Sequence, residues 1–519
     1  MRSRLNITLI NTVIGIASQI VLAILNLVLR RVFVNTIGLD YLGLNGLFGN
    51  VLSLLALTES GVGIALSYSL YQPIKDNDTK QIAVLLAFFK RLYTGIALIV
   101  LCLGIGVSFF MGYLVNDSSF SIPTLTFYFY MFLIQNIGTY FWAYKISYLN
   151  ANQQNYIVSL IQMLIQCLVL ILKIFCLYVF GSFVAYLVLN ISYSILSNLC
   201  IAIYVDRKHP ELLGYQDCKI GPNEKKMIWK NIKGLFFHKV GAFVVFGTDN
   251  IIISTFINLR SVGIYSNYAY VLTLFNTFAS QLFNAIIPSM GNYIADKDEN
   301  DIYNMYKNIQ LLCFCIFGGG TTILLNAMQP FIQLWLGNDC MMTHSCLLLF
   351  LLNFYLNGMR NPIQIIKNSG GQFYDDRISP IIESTVNIVA SVVLTKMIGL
   401  SGVFLGTILS GLAAPFWISP KIVFKNVFHK QVTTYFVDMG KFLGILLLAC
   451  ASSMYLSQIV MSDVLLLRFL TNILMSSFIF MLLLVVFFRK TSEFDYFKTV
   501  AIKFLKIFGG TGKKWIKRD

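Results

Sequence analysis

The sequence predicts an all-α, polytopic integral membrane protein, and three observations indicate this fold class. Hydrophobic residues make up 57% of the 519-residue chain and charged residues only 12%, against roughly 45 to 50% and 25% in soluble domains. The apolar runs are continuous and reach the length of about 20 residues that a helix needs to cross the hydrocarbon. They lack the alternating segments of roughly 10 residues that build outer-membrane barrels. The spans are therefore predicted to be helices.

A hydropathy window of about 19 residues predicts about fourteen spans. The N-terminal apolar stretch exceeds the roughly 7 to 15 residues of a signal-peptide core, so it is predicted to be retained as the first span. The predicted spans cover 9–36, 44–70, 92–114, 123–145, 156–178, 182–204, 236–258, 263–288, 309–333, 345–366, 378–397, 402–424, 437–461 and 467–488.

Basic residues predict the orientation of these spans. Lys and Arg exceed Asp and Glu by 39 to 23, and the loops opposite the N-terminus hold only Arg260, Lys396 and Arg468. The positive-inside rule then places both termini in the cytoplasm. Topology and contact with anionic lipids thus account for the net charge of +16, and binding to nucleic acid is not predicted.

The basic tail is predicted to form an amphipathic helix on the inner leaflet. Phe497, Val500, Phe504 and Phe508 recur at helical spacing with lysines between them, and the pattern stops at Gly509. A helix of this composition lies in the membrane interface.

An internal repeat appears when the chain is shifted by about 220 residues, which lays residues 37–48 over 257–268. Both copies fall at the outer turn between a first and a second helix, so we expect a parallel repeat with an axis along the membrane normal. A cleft between two such halves is the usual position of a transported substrate. The predicted organisation is an N-lobe at 1–205, a basic cytoplasmic linker at 206–235, a C-lobe at 236–430, a helix pair at 431–490 and the basic tail at 491–519.

Signatures of catalysis are missing from the sequence. There is no GxxxxGK[ST] phosphate loop and no HExxH, and the four histidines are far apart. The predicted outer loops have no room for an acceptor domain. The sequence therefore predicts neither an ATP-driven pump nor an enzyme, and it predicts no cofactor and no metal.

Ionisable residues inside apolar helices are the remaining functional candidates, because each costs roughly 2.5 to 3.5 kcal/mol on insertion scales and is usually kept facing a cavity or a partner. They are Arg30, Arg31, Glu59, Lys173, Asp249 and Arg360. At ~1.5 Å per residue, four of them lie ~8 to 14 Å from the outer helix ends, in one layer. These four are Arg30, Arg31, Lys173 and Asp249.

These six residues are interpreted as the lining of a hydrated cavity. Four of them are cations and two are carboxylates, so the cavity would be basic. A basic cavity suits a diphosphate, and the planar arginine fork donates two parallel hydrogen bonds to phosphate. The alternative is that Arg30 or Lys173 extends to the outer interface and that Asp249 pairs with an arginine. Glu59 is interpreted either as a site for a proton or Na⁺ or as a structural residue. His238 is either a further phosphate contact or a solvated interfacial histidine.

Several short sequence motifs, here called phrases, resemble those of one family. This family is the polysaccharide or O-antigen (Wzx-type) flippases of the multidrug/oligosaccharidyl-lipid/polysaccharide (MOP) superfamily. The resemblance runs from about residue 5 to 490. The phrases lie at residues 42–48, 52–63, 70–73, 237–241, 247–254, 262–268 and 358–360.

The resemblance implies a fourteen-helix transporter in the bacterial plasma membrane. Its implied substrate is an undecaprenyl-diphosphate-linked oligosaccharide, moved to the outer leaflet by alternating access for surface-polysaccharide assembly, with other assembly proteins as partners. Arg30 or Arg31, Glu59, Asp249 and Arg360 match the charged positions of its motifs, whereas Lys173 rests on its depth alone. Three alternatives stay open: a multidrug or small-solute exporter of the same superfamily, a membrane polysaccharide polymerase or ligase, and a non-transporting scaffold.

Overall fold

The structure is a computed structural model. The residues that it describes are 4–59, 62–115, 119–213, 220–222, 225–226, 228–229, 232, 247–370, 375–376, 378–459 and 463–509. Every regular element among them is a helix, which confirms the predicted all-α class. The chain divides into two compact units, Met1–Ser266 and Asn267–Asp519. The predicted lobe and linker boundaries stay a prediction.

The first unit contains long helices joined by short turns. Its described helices are α1 (Arg4–Ile37), α2 (Leu39–Leu55), α3 (Val62–Lys75), α4 (Thr79–Ser108), α5 (Met111–Leu114), α6 (Ile122–Tyr140), α7 (Ala143–Ala151), α8 (Asn155–Phe180), α9 (Phe183–Lys208) and α10 (Asp249–Phe256), with 3₁₀ turns at Ala56–Glu59 and Pro210–Leu213.

Helix α11 (Leu259–Asp296) contains the boundary between the two units. The second unit ends in α21 (Ser492–Gly509), the helix that the sequence predicted for the basic tail. Its further described helices are α12 (Glu299–Cys313), α13 (Gly319–Leu336), α14 (His344–Met359), α15 (Asn361–Ser369), α16 (Ser379–Ile398), α17 (Leu400–Ala413), α18 (Pro415–Asn426), α19 (Thr433–Ile459), α20 (Leu465–Phe488) and α21 (Ser492–Gly509), with a π-helical turn at Phe314–Gly318 and a 3₁₀ turn at Asn338–Cys340.

Ten helices in the described part of the chain are long and apolar enough to cross a membrane. They confirm a multi-pass membrane protein but not the count of fourteen. One reason is that some predicted spans are broken. The span at 44–70 consists of α2 and α3, of 17 and 14 residues, joined by a 3₁₀ turn. The span at 236–258 starts in residues outside the described part of the chain.

A second broken span places one of the candidate residues. The predicted helix at 345–366 ends at Met359 and restarts at Asn361, so Arg360 lies at the break between α14 and α15. Pro362 sits in the first turn of α15, where its missing N–H and fixed φ are tolerated but would disturb a helix interior. Arg360 itself keeps right-handed helical backbone angles at this junction, with φ −78° and ψ −21°.

Two helix hairpins turn at glycines in the left-handed region. Gly181 joins α8 to α9 with φ 55°, and Gly399 joins α16 to α17 with φ 64°. A side chain at either position would be strained, because only glycine adopts this region without a Cβ penalty. The two glycines are separated by nearly the same offset as the predicted sequence repeat.

The two copies of the repeat contact each other reciprocally inside the first unit. A Cβ on Gly43 would lie 2.1 Å from the Leu259 carbonyl oxygen, and a Cβ on Gly263 would lie 2.4 Å from the Leu39 carbonyl oxygen. Gly43 and Gly263 occupy the same position in the two copies, and so do Leu39 and Leu259. Gly43 therefore faces Leu259 in the second copy, and Gly263 faces the equivalent Leu39 in the first. Such a reciprocal contact is typical of a local two-fold relationship. The glycines allow α2 and α11 to approach backbone to backbone.

In the second unit, α19 and α20 pack on α13 around a buried polar network. The Asn326 amide donates to the Ser453 hydroxyl at 2.8 Å and to the Ser476 hydroxyl at 3.0 Å. The Asn472 amide donates to the Asn326 carbonyl oxygen at 2.9 Å. These four residues are 9% exposed or less, so the network fixes the rotation of three apolar helices that hydrophobic contact alone would leave weakly defined.

Candidate functional site

Lys173 lies deep in α8 and is only 7% exposed. Its ammonium donates to the Asn190 side-chain oxygen on α9 and lies 4.9 Å from the centre of the Tyr186 ring. No carboxylate lies within ion-pair distance of it among the described residues. The alternative that Lys173 extends to the interface does not describe this conformation, because the side chain is enclosed.

Arg30 lies near the same tyrosine. Its guanidinium Nη2 donates to the Ser266 hydroxyl at 2.6 Å, and its charge interacts electrostatically with the Tyr186 hydroxyl. Helix α1, which carries Arg30, packs along α8, which carries Lys173. Arg31 follows on the next position of α1, where its side chain is exposed rather than half-buried.

Asp249 begins α10 and is 7% exposed. Its Oδ2 accepts a hydrogen bond of 3.1 Å from the Tyr265 hydroxyl, whereas its buried Oδ1 has no hydrogen-bond partner within the described part of the chain. The predicted arginine partner is not found within ion-pair distance there. Within the described residues, Oδ1 is therefore a buried acceptor that is available to a ligand.

These contacts connect three of the four residues predicted to form one layer. The Tyr186 ring contacts Lys173 and its hydroxyl lies within electrostatic range of Arg30, while the consecutive residues Tyr265 and Ser266 bind Asp249 and Arg30. We call Arg30, Lys173, Asp249, Asn190 and their tyrosines the first-unit cluster. Arg31 is not connected to it by any contact among the described residues.

Glu59 belongs to a separate group of hydroxyls. It ends the 3₁₀ turn between α2 and α3 and interacts with the hydroxyls of Tyr93 and Tyr140, which are 2% and 1% exposed. Gly63 brings α3 close to this group, since a Cβ there would lie 3.2 Å from the Tyr93 hydroxyl. Gly63 thus permits a close approach of α3 to α4, which carries Tyr93.

Arg360, in the second unit, has a carboxylate partner that sequence analysis missed. Its guanidinium donates to Glu383 through Nη1 at 2.7 Å and Nη2 at 3.2 Å, and Nη1 also donates to Asn357 at 3.2 Å. Glu383 lies on α16 and is 7% exposed. A glutamate inside the apolar run 378–397 was a readable signal, because such residues are rarely left without a partner in a membrane.

The charge count made from the sequence is therefore wrong by one carboxylate. With Glu383 included, the four cations face three acids, and Arg360 is neutralised in this structure. Lys173 and Arg30 remain as the cations of the first-unit cluster. His238 lies outside the described residues. No group of three or more His, Cys, Asp or Glu side chains able to hold a metal ion occurs in the described part of the chain.

No protein-family profile matches the sequence, and no curated protein does. The structure is similar to that of the lipid II flippase MurJ in an inward closed conformation, with a TM-score of 0.65 and 16% identity, over 92% of this chain and 99% of that chain. It is also similar to an inward-facing multidrug resistance MATE family transporter of the MOP superfamily, with a TM-score of 0.64 and 14% identity, over 79% of this chain and 98% of that one. A third similar structure is the Vibrio cholerae MATE transporter VcmN, with a TM-score of 0.55 and 13% identity, over 83% of this chain and 100% of that one.

The chain has the fold of these transporters. One of them is a transporter of the MOP superfamily, the superfamily of the sequence resemblance, and the other two are a lipid II flippase and a second MATE transporter. At this identity the likeness defines the fold alone. It does not test the Wzx-type subfamily.

Proposed function

We propose that the protein is a flippase that moves an undecaprenyl-diphosphate-linked oligosaccharide from the cytoplasmic to the outer leaflet of a bacterial plasma membrane for surface-polysaccharide assembly. The similarity to a lipid II flippase over 92% of the chain supports the fold required for this task. Both termini would lie in the cytoplasm, anionic lipids would contact the basic inner face, and assembly proteins would receive the product.

The observation that carries the proposal is the buried Lys173. Counting from the end of α8 at Phe180, its Cα lies about 10 Å along the helix. A cation at such depth costs roughly 2.5 to 3.5 kcal/mol, and here only an amide oxygen and an aromatic face compensate it. A diphosphate would supply the missing negative charge, and Arg30 would add hydrogen bonds to it from the same cluster.

Arg360 fits the same substrate in a different manner. Its Nη1 and Nη2 donate to the two Glu383 oxygens, and the same two nitrogens could donate to two oxygens of a phosphate. A phosphate must therefore replace Glu383 in order to bind the Arg360 guanidinium. We propose that Arg360, with His238, meets the diphosphate on the cytoplasmic side and that Arg30, Arg31 and Lys173 receive it next, while the polyprenyl tail stays in the lipid.

The buried acids would couple transport to an ion. Of the two acids, Asp249 is the better placed, because its Oδ1 has no hydrogen-bond partner among the described residues. Glu59, with its tyrosine neighbours, is the second candidate. A proton or Na⁺ bound at either position would change the charge of the cavity during the cycle, which lets an ion gradient or the membrane potential drive the step.

A multidrug or small-solute exporter is the second candidate function. The MATE transporters among the similar structures favour it, and the buried carboxylate of Asp249 is a group that an organic cation would bind. The Lys173 ammonium in the same cluster disfavours it, because it would repel that cation. A polymerase, a ligase or a scaffold has no observation in its favour.

The test is translocation of a lipid-diphosphate-linked oligosaccharide by the full-length protein in proteoliposomes, with and without an imposed membrane potential. We expect wild-type protein to move the lipid and Arg30→Ala to lose most of this activity. Arg260→Ala, which removes an exposed arginine from α11, is the matched control and should retain it. Movement of an organic cation but not of the lipid would reject the flippase in favour of the exporter.

A further inference from the structure

A basic pocket of about 370 Å³ lies in the first unit, apart from the first-unit cluster. One face of α4 forms its wall, together with α7, the end of α9 and the 3₁₀ turn at Pro210–Leu213. The side chains that line it are Ala83, Leu86, Ala87, Lys90, Arg91, Thr94, Tyr144, Lys145, Val205, Asp206 and Leu212.

The charge of this lining is strongly one-sided. Three cations, Lys90, Arg91 and Lys145, face a single carboxylate, Asp206. Lys145 is 8% exposed and donates to both Asp206 oxygens, at 2.7 and 2.6 Å. That pair is neutral and fixed. Counted over the lining residues alone, the formal charge is +2, and Lys90 and Arg91 lie on the exposed face of α4.

The pocket lies where a helix leaves the hydrocarbon. Farther along α4, the side chains of Leu98 and Ile99 are 58% and 52% exposed, as expected of a lipid-facing surface. The helix has 30 residues, about 45 Å, of which the hydrocarbon covers about 30 Å. If the end at Ser108 marks one edge of the hydrocarbon, the other edge falls close to Lys90 and Arg91. That is the level of lipid phosphates.

We propose that this pocket binds the headgroup phosphate of an anionic membrane lipid on the predicted cytoplasmic side. Lys90 and Arg91 would contact the phosphate. The Lys145–Asp206 ion pair would hold α7 and α9 together beside it. The apolar side chains of Leu86, Val205 and Leu212 would receive the adjoining glycerol and upper acyl chain. Basic pockets between membrane helices on the cytoplasmic side bind lipid headgroups in this manner. This site goes beyond the proposed function, because its ligand is a resident lipid rather than the transported one.

The test is lipid binding to the full-length protein in detergent, counted by native mass spectrometry at two NaCl concentrations. The probes are phosphatidylglycerol, phosphatidylcholine and inorganic phosphate. We expect phosphatidylglycerol to bind in preference to phosphatidylcholine and to weaken as NaCl rises. The double variant Lys90→Gln/Arg91→Gln should lower its affinity at least tenfold. The control Arg260→Gln/Lys396→Gln, which removes two exposed cations on the predicted outer side, in α11 and α16, should leave it unchanged.

Two results would overturn the proposal. Equal binding of phosphatidylglycerol by wild type and the double variant would place the lipid elsewhere. Displacement of the lipid by an equal concentration of inorganic phosphate would make the pocket a site for a free anion. The single variant Lys90→Gln changes one exposed side chain, so a several-fold loss of phosphatidylglycerol in that folded variant is expected even if the double variant unfolds.

Discussion

Replacing Lys173 by methionine should abolish most transport while leaving the fold nearly as stable. The substitution keeps the length of the side chain and removes the buried charge, which relieves roughly 2.5 to 3.5 kcal/mol. It also loses the charged hydrogen bond to Asn190, worth about 1.5 to 3 kcal/mol, and the contact with the Tyr186 ring, worth about 0.5 to 2 kcal/mol. Gain and loss therefore cancel to within about 2 kcal/mol.

If the proposed function holds, the effect on transport should be larger, because the diphosphate would lose a charged partner. A loss of about 1.5 to 3 kcal/mol in substrate interaction is about ten- to a hundredfold in rate. Translocation in proteoliposomes and thermal unfolding of the same preparations measure the two effects. Lys396→Met removes an exposed lysine from α16 as a matched control. Unchanged translocation by Lys173→Met would refute the role in substrate binding, and a loss of stability above about 3 kcal/mol would make Lys173 a structural residue.

Three further predictions concern stability, each measured by thermal or denaturant unfolding. Arg360→Met should destabilise the protein by about 3 to 5 kcal/mol, because it leaves Glu383 buried and uncompensated. The double variant Arg360→Met/Glu383→Leu should recover most of this loss. Equal effects of the single and double variants would contradict the ion pair. Gly263→Ala should cost about 1 to 3 kcal/mol, since its Cβ would lie 2.4 Å from a facing carbonyl oxygen, whereas Gly49→Ala, with nothing within 4 Å, should be neutral or stabilising; similar effects of both would count against the close contact. Asn326→Leu should cost about 2 kcal/mol, from three lost interhelical hydrogen bonds of about 0.6 kcal/mol each, two donated by the Asn326 amide and one that it accepts from Ser457. No loss would leave the network without a role in stability.

Composition and hydropathy predicted the helical membrane fold because the hydrocarbon imposes one length and one polarity on every span. The repeat predicted from a dozen residues also corresponds to a contact, between Gly43 and Gly263 and their counterparts' neighbours. Helix breaks were not predicted. A hydropathy window averages over about 19 residues, so it cannot separate α14 from α15 at Arg360 or detect the 3₁₀ turn that ends at Glu59.

Depth along the helix was sufficient to group Arg30, Lys173 and Asp249, since all three lie at similar distances from the helix ends. It was not sufficient to separate Arg30 from Arg31, because consecutive residues differ in direction by about 100° on a helix and only a neighbour shows which one faces the cluster. Asn190 was not among the ionisable candidates, because its side chain carries no charge. Its role depends on the turn at Gly181 that folds α9 back along α8, which the sequence indicates only in outline.

The pairing of Arg360 changes how the cations are expected to act on a substrate. A phosphate that reaches Arg360 must first replace Glu383, so the charge gained from one partner is offset by the charge lost from the other. At Lys173 there is no carboxylate to replace within the described residues, and a phosphate there relieves an existing desolvation cost. Net binding energy should therefore come mainly from the first-unit cluster, and Arg360 should govern when the substrate is admitted.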